Sequence, residues 1–181
     1  MISRKEFRAA QKRAVRMMAD AGIALSKPEK AGIEVADFGL GELARTGLEI
    51  VTYVNNDRYC AKELVLFPRQ TCPEHRHPGR GRQPGKRETF RCRAGVVYLY
   101  VEGLASKRPK ARPPEAPPGA YTVFHEIILR RGEQCTLEPD TLHWFQAGRD
   151  GAVVSEFSSP SDDAGDIFTD RRIVRVPELA P

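Results

Sequence analysis

Apolar residues recur at intervals of three and four positions along the first twenty residues of the chain. This is the period of an α-helix with one apolar face. Ser3 and Glu6 have the spacing of a capping box, which marks a helix start. We therefore predict an amphipathic helix over residues 3–22, and a short second helix over residues 27–30 with Pro28 at its first position.

From about residue 36 the pattern changes to short β-rich runs separated by turn residues. The predicted strands are residues 48–54, 60–67, 89–92, 95–101, 122–129, 135–137 and 152–157. Many short strands at this spacing indicate an all-β sandwich or barrel. Residues 103–119, with five prolines and two glycines, are predicted to form a loop, and residues 148–151 a turn.

The length of 181 residues favours a single domain. We divide it into an N-terminal helical segment over residues 1–35 and a β-barrel over residues 36–181. No apolar run approaches the length of a membrane span, and no secretory signal opens the chain. We therefore expect a cytoplasmic protein that does not contact a membrane.

The charge distribution argues against a nucleic-acid partner, and the cysteine spacing argues against two kinds of cysteine site. The net charge is +5, but the basic residues are spread along the chain without a nucleic-acid-binding motif, so we expect no nucleic-acid partner. No two cysteines form a CxxC pair, which argues against a thiolate zinc site or a redox motif. The four thiols are predicted to be reduced and buried: Cys60, Cys72, Cys92 and Cys135.

Histidine spacing is the strongest chemical signal in the sequence. His75 and His77 would point to the same face of a strand. With Glu88 and the distant His143 they would form a mixed nitrogen and oxygen site that suits Mn, Fe, Zn, Ni or Co. Each residue alone has an ordinary explanation, such as a surface histidine pair or a solvated carboxylate, so the prediction depends on all four.

The offsets of these residues resemble the two cupin motifs, with Glu88 and Gly95 separated as in the first motif and Gly132 and His143 as in the second. Longer stretches resemble the D-lyxose ketol-isomerase family: residues 59–64, 71–78, 85–90, 96–103, 139–148, 154–159 and 166–170. The resemblance implies an all-β cupin double-stranded β-helix, a jelly-roll barrel, with an N-terminal helical extension. It also implies one divalent ion per subunit, most readily Mn²⁺, and a free monosaccharide substrate.

The same resemblance implies interconversion of D-lyxose with D-xylulose, and of D-mannose with D-fructose. A carboxylate would move a proton between C2 and C1 through a cis-enediol. Glu156 falls where these isomerases place their catalytic glutamate; the alternative is a solvated glutamate on an alternating strand. Lys86 is the candidate for polarising the carbonyl, the alternative being one more solvated lysine in a basic loop.

Two further residues have weaker assignments. Asp166 would either bind a sugar hydroxyl or cap a turn. Trp144 would either line the substrate pocket or belong to the apolar core. His125 is predicted to be structural, and Glu74 to face away from the metal.

The ligand set leaves other functions open. An Fe(II) cupin dioxygenase uses the same kinds of ligand. A sugar-phosphate isomerase would use the basic loop 76–87. A sugar-binding cupin would bind without turnover. A homodimer is expected, since cupins often pair through their strands.

Overall fold

The computed structural model describes residues 2–81 and 84–176. Two helices precede nine strands in these residues, and a single 3-10 turn at Asp163–Gly165 precedes the last strand. The elements are α1 (Arg4–Asp20), α2 (Lys27–Ala31), β1 (Glu34–Ala36), β2 (Leu48–Asn55), β3 (Cys60–Leu66), β4 (Thr71–Arg76), β5 (Glu88–Val101), β6 (His125–Arg130), β7 (Gln134–Leu137), β8 (His143–Ser158) and β9 (Ile167–Phe168).

The predicted helix start is confirmed at α1. The Ser3 side chain accepts from the Glu6 backbone N–H, and the Glu6 carboxylate accepts from the Ser3 backbone N–H. This capping box satisfies two of the donors that a helix end leaves unpaired. The buried face of α1 carries Ala10, Ala14 and Met18.

Strand pairing joins the nine strands into one antiparallel sheet, and β5 and β8 each run through both of its halves, which we call the two sheets. The second half of β8 lies between β3 and the first half of β5, and β3 continues to β2 and β1. The first half of β8 lies between β4 and the second half of β5, with β6 and β9 beside them. Two sheets joined by strands that pass from one to the other form a jelly roll.

The two shared strands bend where they cross between the sheets. Gly95 and Gly151 both have positive φ, which favours glycine. A Cβ on Gly95 would lie only 2.0 Å from the carbonyl oxygen of Gly151. The close approach therefore requires glycine at position 95, and it allows one continuous strand to serve both sheets.

Apolar side chains are buried in three places. The main core lies between the two sheets and includes Leu64, Phe90, Leu99 and Phe145. A second cluster lies between α1 and the outer face of β1–β3. A third lies under the loop that follows β5 and includes Trp144. The interior between the sheets is thus the place where inward-facing polar groups can meet.

Three predictions about the extent of the strands were wrong. β6 begins at His125 rather than at residue 122, because the backbone N–H groups of Thr122 and Val123 donate to the buried Glu74 carboxylate instead of to a strand. Residues 148–151 do not form a turn between elements but continue β8, while the predicted strands 89–92 and 95–101 are one bulged strand, β5.

The loop predicted for residues 103–119 contains neither helix nor strand, as expected. Across the described part of the chain, helices with the length and apolarity to cross a membrane are absent. The division at residue 35 stays a prediction.

Candidate metal centre

The four predicted ligands converge between the sheets. His75 lies on β4, His77 follows β4 directly, Glu88 opens β5 and His143 opens β8. His75 and His143 are register partners on neighbouring strands, although they lie 68 positions apart in the sequence. The ligand atoms of the three histidines lie within 4.8 Å of one another. Glu88 Oε1 lies 3.3 Å from His77 Nε2 and 3.2 Å from His143 Nε2.

Each imidazole is oriented by a contact at its Nδ1 atom. His75 Nδ1 lies 2.8 Å from the carbonyl oxygen of Pro73, and His143 Nδ1 lies 2.9 Å from that of Thr141. His77 Nδ1 contacts the Asp166 carboxylate. In a neutral imidazole, an oxygen acceptor at Nδ1 places the proton there and leaves a free lone pair on Nε2.

The inward-facing atoms have the properties of metal ligands. His77 Nε2, His143 Nε2 and Glu88 Oε1 are buried and have no hydrogen-bond partner among residues 2–81 and 84–176. Buried polar atoms without partners are costly. A divalent ion bound by three imidazoles and one carboxylate would satisfy them, so the donor set fits a transition metal.

The electrostatics of the cluster agree with this reading. Burial holds the pKa of His143 below its usual value and that of His75 well below it, which favours the neutral rings that a metal requires. Burial opposes the charge on Glu88, but Lys86 and His77 hold its pKa well below the usual range. For His77 burial is outweighed by Asp166 and Glu88, which raise the pKa to about 9. The carboxylates of Asp166 and Glu88 thus favour a positive charge at His77, which a proton or a bound metal ion can supply.

Lys86 connects the histidine cluster to a second carboxylate. Its Nζ atom lies 2.8 Å from Glu88 Oε2 and 2.8 Å from Glu156 Oε1. All three side chains are almost fully buried. Burial disfavours the lysine charge, but the two carboxylates outweigh it and hold the pKa of Lys86 well above its usual value. Lys86 therefore lies between the two carboxylates and links Glu88 to Glu156.

These groups line a small cavity between the sheets. His75, His77, Lys86, Glu88 and Glu156 form one polar region of its wall. Much of the remaining lining is aromatic or aliphatic: Phe38, Leu48, Ile50, Leu64, Phe90, Phe145 and Phe168. The mixed polar and apolar lining suits a small polar molecule with one reactive end.

Two sequence assignments change once contacts are known. Asp166 lines the cavity, but its carboxylate contacts His77, a positioning role that the sequence did not suggest. Trp144 does not wall the cavity: it is completely buried, stacks on Tyr100 at 4.0 Å between ring centroids, and donates its Nε1–H to the Val123 carbonyl. Because side chains alternate along β8, Trp144 faces away from the side that His143 occupies.

The remaining sequence predictions concern residues outside the cluster. Glu74 does face away from it and accepts hydrogen bonds from Thr122, Val123 and Thr169. His125 is exposed and contacts the Leu104 carbonyl through Nδ1. All four cysteines are free, and three of them are buried.

The sequence prediction missed three charged residues of the cavity wall: Lys62, Asp163 and Arg175. Lys62 had a detectable signal, because it shares a strand face with the apolar Leu64 and Leu66. Asp163 and Arg175 had none, since they lie in an irregular segment after the last long strand.

Comparison with curated proteins connects this geometry to a family. The chain is 60% identical over 179 residues to the D-lyxose/D-mannose isomerase of Thermosediminibacter oceani, with 99% of both chains covered. It is 59% identical over 179 residues to the D-lyxose ketol-isomerase of a Thermofilum species, again with 99% of both covered. The chain belongs to the D-lyxose ketol-isomerase family. A D-lyxose ketol-isomerase of Cohnella laeviribosi is 59% identical over 174 residues, 96% of each chain.

Solved structures agree with the D-lyxose ketol-isomerase assignment at the level of the fold. The L-ribose isomerase of Acinetobacter sp. DL28 in complex with L-ribose has a TM-score of 0.74 at 17% identity, covering 88% of this chain and 82% of that one. The ligand-free L-ribose isomerase of Cellulomonas parahominis has a TM-score of 0.72 at 16% identity, covering 99% and 97%. The predicted cupin jelly roll is confirmed. A scan against protein-family models found no match.

Proposed function

We propose that this chain isomerises free aldoses and ketoses, interconverting D-lyxose with D-xylulose and D-mannose with D-fructose. The observation that carries the proposal is one small cavity in which Lys86 links a histidine–carboxylate cluster to Glu156. Curated relatives at about 60% identity are named D-lyxose/D-mannose isomerase and D-lyxose ketol-isomerase, which supports D-lyxose and D-mannose as substrates.

His75, His77, Glu88 and His143 would hold one divalent ion, with Mn²⁺ as the first candidate. Zn, Co, Fe and Ni suit the same donors. Such an ion supplies Lewis-acid stabilisation of two neighbouring sugar oxygens. The unpartnered Nε2 atoms of His77 and His143 support this assignment.

Glu156 would remove the proton from C2 and return it to C1, which passes through a cis-enediol. Lys86 contacts Glu156 and would hold it in position, while its remaining N–H can donate to a sugar oxygen. The aromatic walls would keep competing water away from the enediol. The role of each residue rests on proximity and chemistry.

The charge balance of the cavity favours a free sugar over a sugar phosphate. Lys86 contacts two carboxylates, and both Lys62 and Arg175 contact Asp163. In the described part of the basic loop, each arginine is also paired: Arg76 with Asp140, Arg80 with Asp162, and Arg87 with Glu138. A phosphate dianion would have to break these pairs, whereas neutral hydroxyls can join them.

The test is to strip the protein with EDTA and assay it with and without Mn²⁺ on D-lyxose, D-mannose and mannose 6-phosphate. We expect ketose formation from the two free sugars only, and only with metal restored. Turnover of the phosphorylated sugar alone would replace the proposal with a sugar-phosphate isomerase. Oxygen consumption by the iron-loaded protein would replace it with a dioxygenase.

We also propose a homodimer and a cytoplasmic location, on the family resemblance alone. Light scattering of the purified chain tests the dimer: a monomeric mass at micromolar concentration would contradict it. Cell fractionation tests the location.

A further inference from the structure

A second polar group lies in the cavity wall, apart from the histidine cluster. Lys62 is only 4% exposed, and its Nζ atom lies 2.9 and 2.8 Å from the two carboxylate oxygens of Asp163 and 3.1 Å from the Ser161 hydroxyl. Burying a lysine costs free energy that its contact with the partly exposed Asp163 only partly recovers. The location of the pair in a ligand cavity suggests a role beyond stability.

Register places this pair beside the proposed proton shuttle. Lys62 on β3 is the direct partner of Glu156 on β8. Directly opposite residues on neighbouring strands point to the same face, with Cβ atoms about 5 Å apart. The side chains then diverge, since Glu156 contacts Lys86 and Lys62 contacts Asp163. A sugar whose C1 and C2 lie at Glu156 can therefore extend its far end toward Lys62 and Asp163.

Much of the lining around the polar groups is apolar and can satisfy no hydroxyl. Beyond the histidine cluster and its partners, the charged residues of the described lining are Lys62, Asp163 and Arg175. Buried hydroxyls without partners are costly. Resting on the proposed function, we infer that the Lys62–Asp163 pair binds the terminal hydroxymethyl group of a hexose substrate and so sets the preference between D-mannose and D-lyxose.

The chemistry of the pair suits a hydroxyl group. A hydroxyl donates one hydrogen bond and accepts others, so it can donate to Asp163 and accept from Lys62 at once. Burial opposes ionisation of Asp163, but Lys62 and Arg175 hold its pKa below the usual value, so it stays an acceptor. Arg175 lies 3.3 Å from Asp163 and also pairs with Glu34, which makes it a positioning residue.

A comparison of D-mannose with D-lyxose tests this site, because the two sugars differ at the end far from C1. Their C2, C3 and C4 configurations match, and D-mannose has one additional carbon with its hydroxyl at the end far from C1. Loss of a contact to the terminal group should penalise the hexose more than the pentose. Loss of general fold integrity should penalise both equally.

The experiment measures kcat and KM on both sugars, with saturating Mn²⁺, for Lys62→Met and Asp163→Asn. We expect kcat/KM for D-mannose to fall about tenfold or more relative to that for D-lyxose, mainly through KM. Arg172→Gln is the matched control, because it breaks the Arg172–Asp170 pair in the same C-terminal segment but outside the cavity. In this control, the ratio of kcat/KM for D-mannose to kcat/KM for D-lyxose should stay within about twofold of the wild-type ratio.

An unchanged ratio in both cavity variants, or an equal change in the control, would overturn the inference while leaving the isomerase function intact. A wild-type chain inactive on both sugars would instead overturn the proposed function. If either variant melts below the assay temperature, Ser161→Ala removes only the hydroxyl that Lys62 and Asp163 share. That variant should shift the ratio severalfold in the same direction, and an unshifted ratio would count against the inference.

Discussion

Replacing Asp166 is expected to weaken metal binding although Asp166 is not one of the proposed ligands. Its carboxylate accepts from His77 Nδ1, whereas the other two rings use the main-chain carbonyls of Pro73 and Thr141. His77 is therefore the ring whose orientation depends on a side chain. Loss of such a partner typically costs 10- to 100-fold in metal affinity, roughly 1.4–2.8 kcal/mol.

We expect Asp166→Asn and Asp166→Ala to weaken metal binding by amounts at opposite ends of this range. Asp166→Asn keeps an oxygen that can accept from Nδ1 but loses the charge, so we expect about a tenfold weaker Kd for Mn²⁺. Asp166→Ala removes the acceptor and leaves a buried N–H unpaired, so we expect about a hundredfold. Because the ligands themselves are intact, kcat should largely recover at saturating Mn²⁺.

The assay is competition between the protein and a fluorescent chelator for Mn²⁺, followed by isomerase kinetics at low and saturating metal. Asp162→Asn is the control, since this neighbouring carboxylate is 65% exposed and pairs with Arg80 3.4 Å away. An unchanged metal Kd together with a raised KM for the sugar would refute the positioning role. That result would favour the sugar-hydroxyl contact predicted from sequence.

Two further perturbations separate chemistry from stability. Glu156→Gln should retain one Mn²⁺ per chain while kcat falls by about 10²- to 10⁴-fold; a fully active variant would remove Glu156 from the shuttle role. Burial raises the pKa of Glu49 from 4.5 to about 8, so the stability that its protonated form contributes is lost as pH rises through that value. The difference in Tm between Glu49→Gln and wild type should therefore shift in favour of the variant as pH rises from about 5 to about 8. Tm curves that stay parallel over this range would contradict the prediction.

Local signals were sufficient for the outline of the fold. The Ser3–Glu6 capping box predicted α1, and most β-rich runs between turn residues became strands. The failures arose where tertiary contacts override local pattern. Residues 148–151 resemble a turn by composition, yet they form a bulge inside β8, because β8 pairs with β5 on both sides of them.

The candidate site likewise contains some residues that the sequence could identify and others that it could not. His75, His77, Glu88 and His143 could be selected because the motif offsets connect them, and the structure brings the four together. The Lys62–Asp163 pair joins residues 101 positions apart through an irregular segment, so no periodicity or motif could connect them. Trp144 follows a predicted ligand directly, but strand alternation places it in a different apolar cluster.

The main-chain acceptors of His75 and His143 have a consequence for engineering. Every amino acid carries a carbonyl, so no replacement at position 73 or 141 can delete the atom that aligns these two rings. Laboratory libraries that seek a different metal preference would gain little from those positions. Position 166 is the adjustable one, because graded acceptors there would alter the basicity of a single imidazole while the other two stay constant.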